Sequence, residues 1–260
     1  MKELLEIAKR AALEAGAEIM KIYTDPAQDF GIEKKADNSP LTLADKAAHD
    51  CIVRYLQETS VPVLSEEGQH LPYEERKAWH RLWIVDPLDG TKEFIKKNGE
   101  FTVNIALVED GVPVLGVIYI PATDVMYYGI VGKGSWKQIS SKKAVHVREN
   151  LPIEEVGRGA AFRIVASRSH MSPETEAYID EARRMYPNVE LISSGSSIKI
   201  CLVAEGTADS YPRFAPTMEW DTAAGDAIAR AAGKRVTNTE TGCPLMYNKE
   251  DLHNPWFLVE

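Results

Sequence analysis

Cysteine is scarce in this 260-residue chain: Cys51, Cys201 and Cys243 are odd in number and widely spaced. That argues against both a disulfide framework and a cysteine zinc site, and it fits a reducing setting. The six histidines include no His-x-x-x-His or comparable ligand pair. No apolar stretch approaches the length needed to cross a bilayer. The start, Met1-Lys2-Glu3-Leu4-Leu5-Glu6, alternates charged with apolar residues and lacks the uninterrupted apolar segment of a secretory signal. Cations are in deficit too, with 30 Lys and Arg against 39 Asp and Glu, a formal charge of -9. Nonspecific binding to nucleic acid polymers is therefore disfavoured. Gly129-x-x-Gly132-Lys133-Gly134-Ser135 lacks the spacing of a Walker loop, so ATP binding is not implied. The expectation is a cytoplasmic protein with no integral membrane segment. Peripheral association with the cytoplasmic face of the inner membrane stays open, as does the choice between monomer and homodimer.

What the chain does have is acid at element ends. Residues 83 to 94 read Trp-Ile-Val-Asp-Pro-Leu-Asp-Gly-Thr-Lys-Glu-Phe. The apolar run Leu82 to Val85 reads as a buried strand that delivers Asp86 and Asp89 into a turn. Pro87 biases Asp86 toward an extended conformation, and Gly90 permits angles that a Cβ would forbid. Two acids crowded there repel each other unless a cation sits between them, and hard oxygen ligands suit Mg²⁺ or Mn²⁺. The same turn also reads as ordinary Asx chemistry facing water. More acid in similar settings shifts that balance. Ser65-Glu66-Glu67-Gly68 follows the apolar run Val61 to Leu64, and Glu219-Trp220-Asp221 starts an alanine-rich helix. Three acidic ends in one chain suit a two-metal cluster.

The organisation around these acids is mixed. Leu4, Ala8, Ala11, Ala15, Ile19 and Ile22 recur at helical spacing, predicting a first helix to about Tyr23. Gly31 to Pro40 is a polar, turn-rich loop, and Thr42 opens a second helix through about Glu58, with Asp45 at the capping-box position. Phe101 to Val108, Val112 to Ile120 and Val125 to Ile130 read as an antiparallel meander. A polar segment spans roughly 137 to 160. Beyond it come a strand at Ile164 to Ala166, a helix at Pro173 to Met185 and a strand at Val189 to Ile192. Helices follow from about Ser196 to Glu205 and from Thr222 to Ala232, the last ended by Gly233. This is an α+β N-terminal half, residues 1–155, and an α/β C-terminal half, 156–260, packed tightly enough to count as one domain.

Glu66-Glu67, Asp86-Pro87-Leu88-Asp89-Gly90-Thr91 and Trp220-Asp221-Thr222-Ala223-Ala224-Gly225 occur in an order that resembles the inositol monophosphatase-like superfamily of Mg²⁺-dependent, Li⁺-sensitive phosphatases. The resemblance implies the layered αβαβα sandwich of the sugar-phosphatase type. It implies two Mg²⁺ ions, or three, with Mn²⁺ able to substitute. Glu66, Asp86 and the Leu88 carbonyl would bind one ion; Asp86, Asp89 and Asp221 would bind the second. Thr91 would orient or deprotonate the attacking water, with Asp45 behind it as its hydrogen-bond partner. Glu66, Leu88, Asp89, Gly90, Thr91 and Asp221 would also surround the substrate phosphate. The structural alternatives are a helix cap for Asp45, a helix N-cap for Asp221 and turn packing for Leu88. Lys35 and Asp37 would extend the metal and water network, or belong to a solvated turn.

Lys92-Glu93-Phe94-Ile95, the run Gly195 to Gly206, and Tyr211-Pro212-Arg213 resemble the bisphosphate nucleotidase branch of that family more than the inositol branch. Ser196 and Lys199 would share a face at a helix N-terminus, and Arg213 could close a fork on the same phosphate. The alternative is a surface cap with a salt-bridging Arg. The implied reaction removes the 3′-phosphate of adenosine 3′,5′-bisphosphate, giving AMP, within sulfur assimilation and nucleotide turnover. The partner is thus a small nucleotide bisphosphate, and 3′-phosphoadenylyl sulfate is a second substrate. The rivals are an inositol monophosphatase or fructose 1,6-bisphosphatase activity, and an idle nucleotide sensor, against which intact Thr91, Asp45 and carboxylates argue.

Overall fold

The computed structural model describes residues 1–26, 30–34, 40–69, 71–139, 145–147, 161–166 and 171–260. In chain order the elements are α1 (Lys2–Tyr23), β1 (Glu33–Lys34), β2 (Pro40–Leu41), α2 (Leu43–Leu56), β3 (Val63–Ser65) and α3 (Tyr73–Arg76). Next come β4 (Arg81–Asp89), α4 (Thr91–Ile95), β5 (Thr102–Glu109), β6 (Val112–Ile120), β7 (Val125–Ile130), β8 (Gly134–Ile139) and β9 (Val145–Val147). The remainder is β10 (Phe162–Ala166), α5 (Pro173–Met185), β11 (Val189–Ser193), α6 (Ile198–Ala204), β12 (Tyr211–Arg213), α7 (Glu219–Ala231), β13 (Val236–Asn238) and β14 (Phe257–Val259). None of these helices is long and apolar enough to cross a membrane.

Strands β3 to β9 form one sheet in sequential order, parallel between β3 and β4 and antiparallel elsewhere. Alternation along β4 sorts its side chains cleanly. Trp83 and Val85 face the cluster built by α1 and α2, whereas Leu82 and Ile84 face the cluster that includes α6 and α7. A strand covered on both faces must be apolar at every position, which is why Leu82 to Val85 reads as an unbroken run. Helix α7 lies close on the sheet because two strand residues have no side chain. A Cβ on Gly116 would sit 2.2 Å from the Ala224 carbonyl oxygen, and one on Gly129 would lie 3.2 Å from Ile228 Cα. Ser135 Oγ donates to the Ile228 carbonyl at 2.7 Å and pins the same contact.

Beyond α6 and α7 stands a second β layer. The parallel pair β10–β11 meets the sheet β12-β14-β13 through a bridge between Ile164 and Ser210. Ile179 and Ala182 of α5 pack on Ile164 from outside. The order is helix, sheet, helix, sheet, helix, the layered sandwich expected from the sequence.

Local boundaries depart from expectation at four places. Strand β4 does not stop at Val85. It pairs with β5 through Asp86 and Asp89, and Pro87 falls in the irregularity between those two pairs, where a missing N–H costs nothing. The turn proper is Gly90, at φ 91°. Helix α6 begins at Ile198 and not at Ser196, because Ser196 is left-handed at φ 44° and Ser197 occupies the N-cap. Helix α7 begins at Glu219, so Asp221 is its third residue and not the N-cap residue itself; it caps from there, its carboxylate accepting the Met218 N–H at 2.8 Å. Finally, residues 134–139 form β8, where Trp136 and Ile139, three residues apart, leave no alternation to mark a strand. The proposed boundary near residue 155 lies outside the described residues.

Candidate active site

Four carboxylates converge where β4 ends. Parallel register sets Ser65 beside Val85, so Glu66 falls beside Asp86, and the Glu66 N–H donates to the Val85 carbonyl at 3.1 Å. The Glu66 carboxyl lies close enough for its charge to act on Asp86. Asp86 is 1% exposed, and one of its oxygens accepts the Leu88 N–H at 3.0 Å. Asp89 is held from the other side, its Oδ2 accepting the Ser197 N–H at 2.6 Å. Asp221 arrives on α7 from the opposite face of β4. Single oxygens of Asp86, Asp89 and Asp221 lie within 4.8 Å of one another.

Burial and mutual repulsion both resist ionisation here. Burial first, then the charges of Glu66, Asp89 and Asp221, push Asp86 well above the usual carboxylate range. Burial, then Asp89, push Asp221 up to about 8. Burial also raises Asp89, opposed by the nearby Lys199 charge and the Ser197 N–H. An all-oxygen, multiply anionic set in a low-dielectric turn fits a hard divalent cation such as Mg²⁺ and suits softer metals poorly. Glu66, Asp86, Asp89 and Asp221 could hold it, with the Leu88 carbonyl facing the same turn: Thr91 Oγ lies 3.3 Å from it.

Thr91 follows Gly90, whose turn leaves no room for a side chain. A Cβ there would meet the Glu100 carbonyl at 3.1 Å and Ser196 Cβ at 3.3 Å. The Thr91 hydroxyl donates to Asp45 Oδ1 at 3.1 Å. Asp45 Oδ2 accepts the Thr42 N–H at 2.7 Å and the Thr42 hydroxyl at 2.5 Å. The two readings of Asp45 are therefore not exclusive: one oxygen caps α2 and the other meets Thr91. Burial raises its pKa, with these hydrogen bonds opposing and the Glu67 charge adding.

A cleft of about 110 Å³ adjoins the acids, lined by Asp89 and Asp221 on one side and by Ser196, Lys199, Tyr211 and Arg213 on another. Ser196 Oγ and Arg213 Nε are buried there without a hydrogen-bond partner. Lys199 behaves differently from the expected clamp. Its ammonium is buried and donates to the Ser196 carbonyl at 2.6 Å, with the Ser194 carbonyl at 3.4 Å. Burial pulls its pKa down to about 8, with Asp89 opposing and Arg213 adding. Ser196 precedes the helix, so the two do not share a helical face. Lys199 braces the loop whose next N–H holds Asp89. Sequence reasoning missed Ser197 and Asn104, whose side chains meet at 2.8 Å beneath Asp89. An amide inside the apolar run of β5 was the available signal. Lys35 and Asp37 lie outside the described residues.

Comparison with known proteins fits this geometry. The model of the inositol monophosphatase family matches residues 1–256. The chain is 46% identical over 259 residues to the 3′(2′),5′-bisphosphate nucleotidase CysQ of Escherichia coli (strain K12), covering 98% of this chain and 99% of that one. The crystal structure of CysQ from Bacteroides thetaiotaomicron, a bacterial member of the inositol monophosphatase family, superposes with a TM-score of 0.89. It is 54% identical over 100% of this chain and 97% of that chain. The suhB protein of Bartonella henselae, 24% identical with a TM-score of 0.77 over 99% and 93% of the two chains, shares the fold.

The crowded acids predict how metal-free protein responds to pH. Their folded pKa values lie above the unfolded ones, so the folded state binds more protons through that interval, and stability falls as pH rises from about 4 toward 8. In chelator-treated protein, the Tm should drop across this range. Asp221→Asn should flatten the drop and exceed wild type at pH 8, as followed by circular dichroism. A wild-type Tm that stays level or rises would contradict the repulsion.

Proposed function

We propose that this chain, which belongs to the inositol monophosphatase family, is a Mg²⁺-dependent 3′(2′),5′-bisphosphate nucleotidase. It hydrolyses adenosine 3′,5′-bisphosphate to AMP and phosphate, and accepts 3′-phosphoadenylyl sulfate as a second substrate. Full-length similarity to curated nucleotidases supports the activity. The observation that carries it to this substrate class is the cleft: it joins the acid cluster to two unpartnered buried donors, Ser196 Oγ and Arg213 Nε. A bisphosphate needs one phosphate cleaved and a second one held.

Glu66, Asp86 and the Leu88 carbonyl would hold one Mg²⁺, and Asp86, Asp89 and Asp221 a second; a third ion or Mn²⁺ is compatible with the same donors. When bound, the metal offsets the charge on the phosphoryl oxygens and makes water more acidic. The protein's own contribution begins with Thr91. Its hydroxyl proton has Asp45 Oδ1 at 3.1 Å and the Leu88 carbonyl at 3.3 Å as acceptors, and the oxygen lone pairs accept from a water and aim it. A threonine hydroxyl is a weak base alone, and the buried Asp45 is where the proton can rest. Asp45 is fixed by Thr42, so the dyad is rigid before substrate arrives. Gly90 lets the phosphoryl group come against the turn. Arg213 and Ser196 donate to the phosphate that stays, and Lys199 adds positive charge behind them.

Thr91→Ala should lower kcat far more than it raises KM, since the hydroxyl acts on water and not on substrate. Asp45→Asn should do the same, and the double variant should be little worse than either. Fully additive losses in steady-state kinetics would mean that Asp45 serves only as a cap.

Phosphate release measured across adenosine bisphosphates, inositol monophosphate and fructose 1,6-bisphosphate should favour the adenosine bisphosphates. In Arg213→Met, a charge-assisted contact of about 1.5–3 kcal/mol is lost, so KM for adenosine 3′,5′-bisphosphate should rise by roughly one to two decades. Hydrolysis of 3′-AMP should barely change. An unchanged ratio of the two specificity constants would move the second phosphate elsewhere.

A further inference from the structure

One carboxylate in the cleft is not used by this chemistry. Glu93, on α4, lines the cleft with Asp89, Ser196 and Arg213. It is wedged between two glycines. A Cβ on Gly90 would lie 3.4 Å from Glu93 Oε2, and one on Gly195 would lie 3.0 Å from Glu93 Cγ. Gly90 needs its glycine for a left-handed turn, but Gly195 has no such φ, so its missing side chain is room for what packs there. Among the described residues no hydrogen bond reaches the Glu93 carboxylate; the cation whose charge it feels is the buried Lys199, whose ammonium is already taken by the Ser194 and Ser196 carbonyls.

A carboxylate facing a polyanionic substrate is unfavourable unless the substrate brings a donor to it. Position decides which donor. Gly90 links Asp89 to Thr91, so the Glu93 oxygen sits beside the turn that receives the scissile phosphate. The part of a nucleotide within that reach is the sugar, not the base. A ribose carrying a 3′-phosphate keeps a free 2′-hydroxyl on the neighbouring carbon, and one carrying a 2′-phosphate keeps a free 3′-hydroxyl.

We infer that Glu93 is a specificity-determining residue that accepts a hydrogen bond from the free ribose hydroxyl vicinal to the phosphate being cleaved. The inference rests on the nucleotidase reading. It accounts for tolerance of both isomers, since each presents one neighbouring hydroxyl. It also demands rejection of a sugar with no hydroxyl there, because the carboxylate would then be desolvated without a partner.

The test compares kcat/KM for adenosine 3′,5′-bisphosphate and 2′-deoxyadenosine 3′,5′-bisphosphate, with Tm and Mg²⁺ dependence followed alongside. Wild type should prefer the ribonucleotide by about ten- to hundredfold, the range of one hydrogen bond to a charged group. Glu93→Ala should bring the ratio close to unity by losing on the ribonucleotide while holding or gaining on the deoxynucleotide. Glu93→Gln keeps an uncharged acceptor and should fall between; being isosteric, it carries the test alone if the alanine variant fails to fold. A preference retained in Glu93→Ala would overturn the inference. So would equal losses on both substrates with a raised Mg²⁺ requirement, which would place Glu93 in the service of the metal site. Failure of wild type to hydrolyse either nucleotide would overturn the nucleotidase reading itself, and this inference with it.

Discussion

Like-charge crowding is the constraint on which the rest of this molecule depends. Asp86 is 1% exposed, and Glu66, Asp89 and Asp221 all act on it. No single element could hold such a set. The parallel β3–β4 register brings Glu66, the irregular end of β4 brings Asp86 and Asp89, and α7 brings Asp221 across the sheet. The layers between which β4 is buried fix these acids closer together than they would settle alone. That arrangement is a strain on the empty protein and becomes an attraction once a divalent cation enters.

The same strain ties the cluster to the adjoining cleft. Asp89 is held by the Ser197 N–H, Ser197 is held by Asn104 and Thr102, and Lys199 braces the carbonyls on either side of Gly195. Ser196 is thereby kept in a left-handed conformation with its hydroxyl unpartnered. One loop thus orients an acid of the cluster on one side and the unpartnered Ser196 hydroxyl on the other. A change in the loop is expected to disturb both, and Lys199 is better understood as its brace than as a free cation waiting for a ligand.

Much of this was legible in the residues. Apolar patterning located α1 and the β5–β7 meander, because each buries a face whose period the chain must match, and the Thr42–Asp45 capping box located α2. The acids at strand ends pointed to a shared cation, because like charges gathered at buried ends repel one another without it. Other features were beyond reach for identifiable reasons. The start of α7 at Glu219 depends on an Asp that caps from the third position, where local pattern favours the first. Strands β12 to β14 are three residues each, too short to show alternation. The engagement of Lys199 with two carbonyls is a tertiary fact: the chain must first turn left-handed at Ser196. Glu93 showed only as part of a run after Thr91, and its wedge between Gly90 and Gly195 joins positions about a hundred residues apart in sequence.

Crowded and buried as they are, these carboxylates carry protons until metal displaces them. Calorimetric titration of metal-free protein with Mg²⁺ at pH 7, repeated in buffers of different ionisation enthalpy, counts the protons released on binding. With Asp221 pushed to about 8 and Asp86 well above its ordinary range, saturation should release about one proton or more per protein, and Asp221→Asn should release fewer. Tight binding whose heat is the same in every buffer would mean that the acids are already ionised, and would contradict the account.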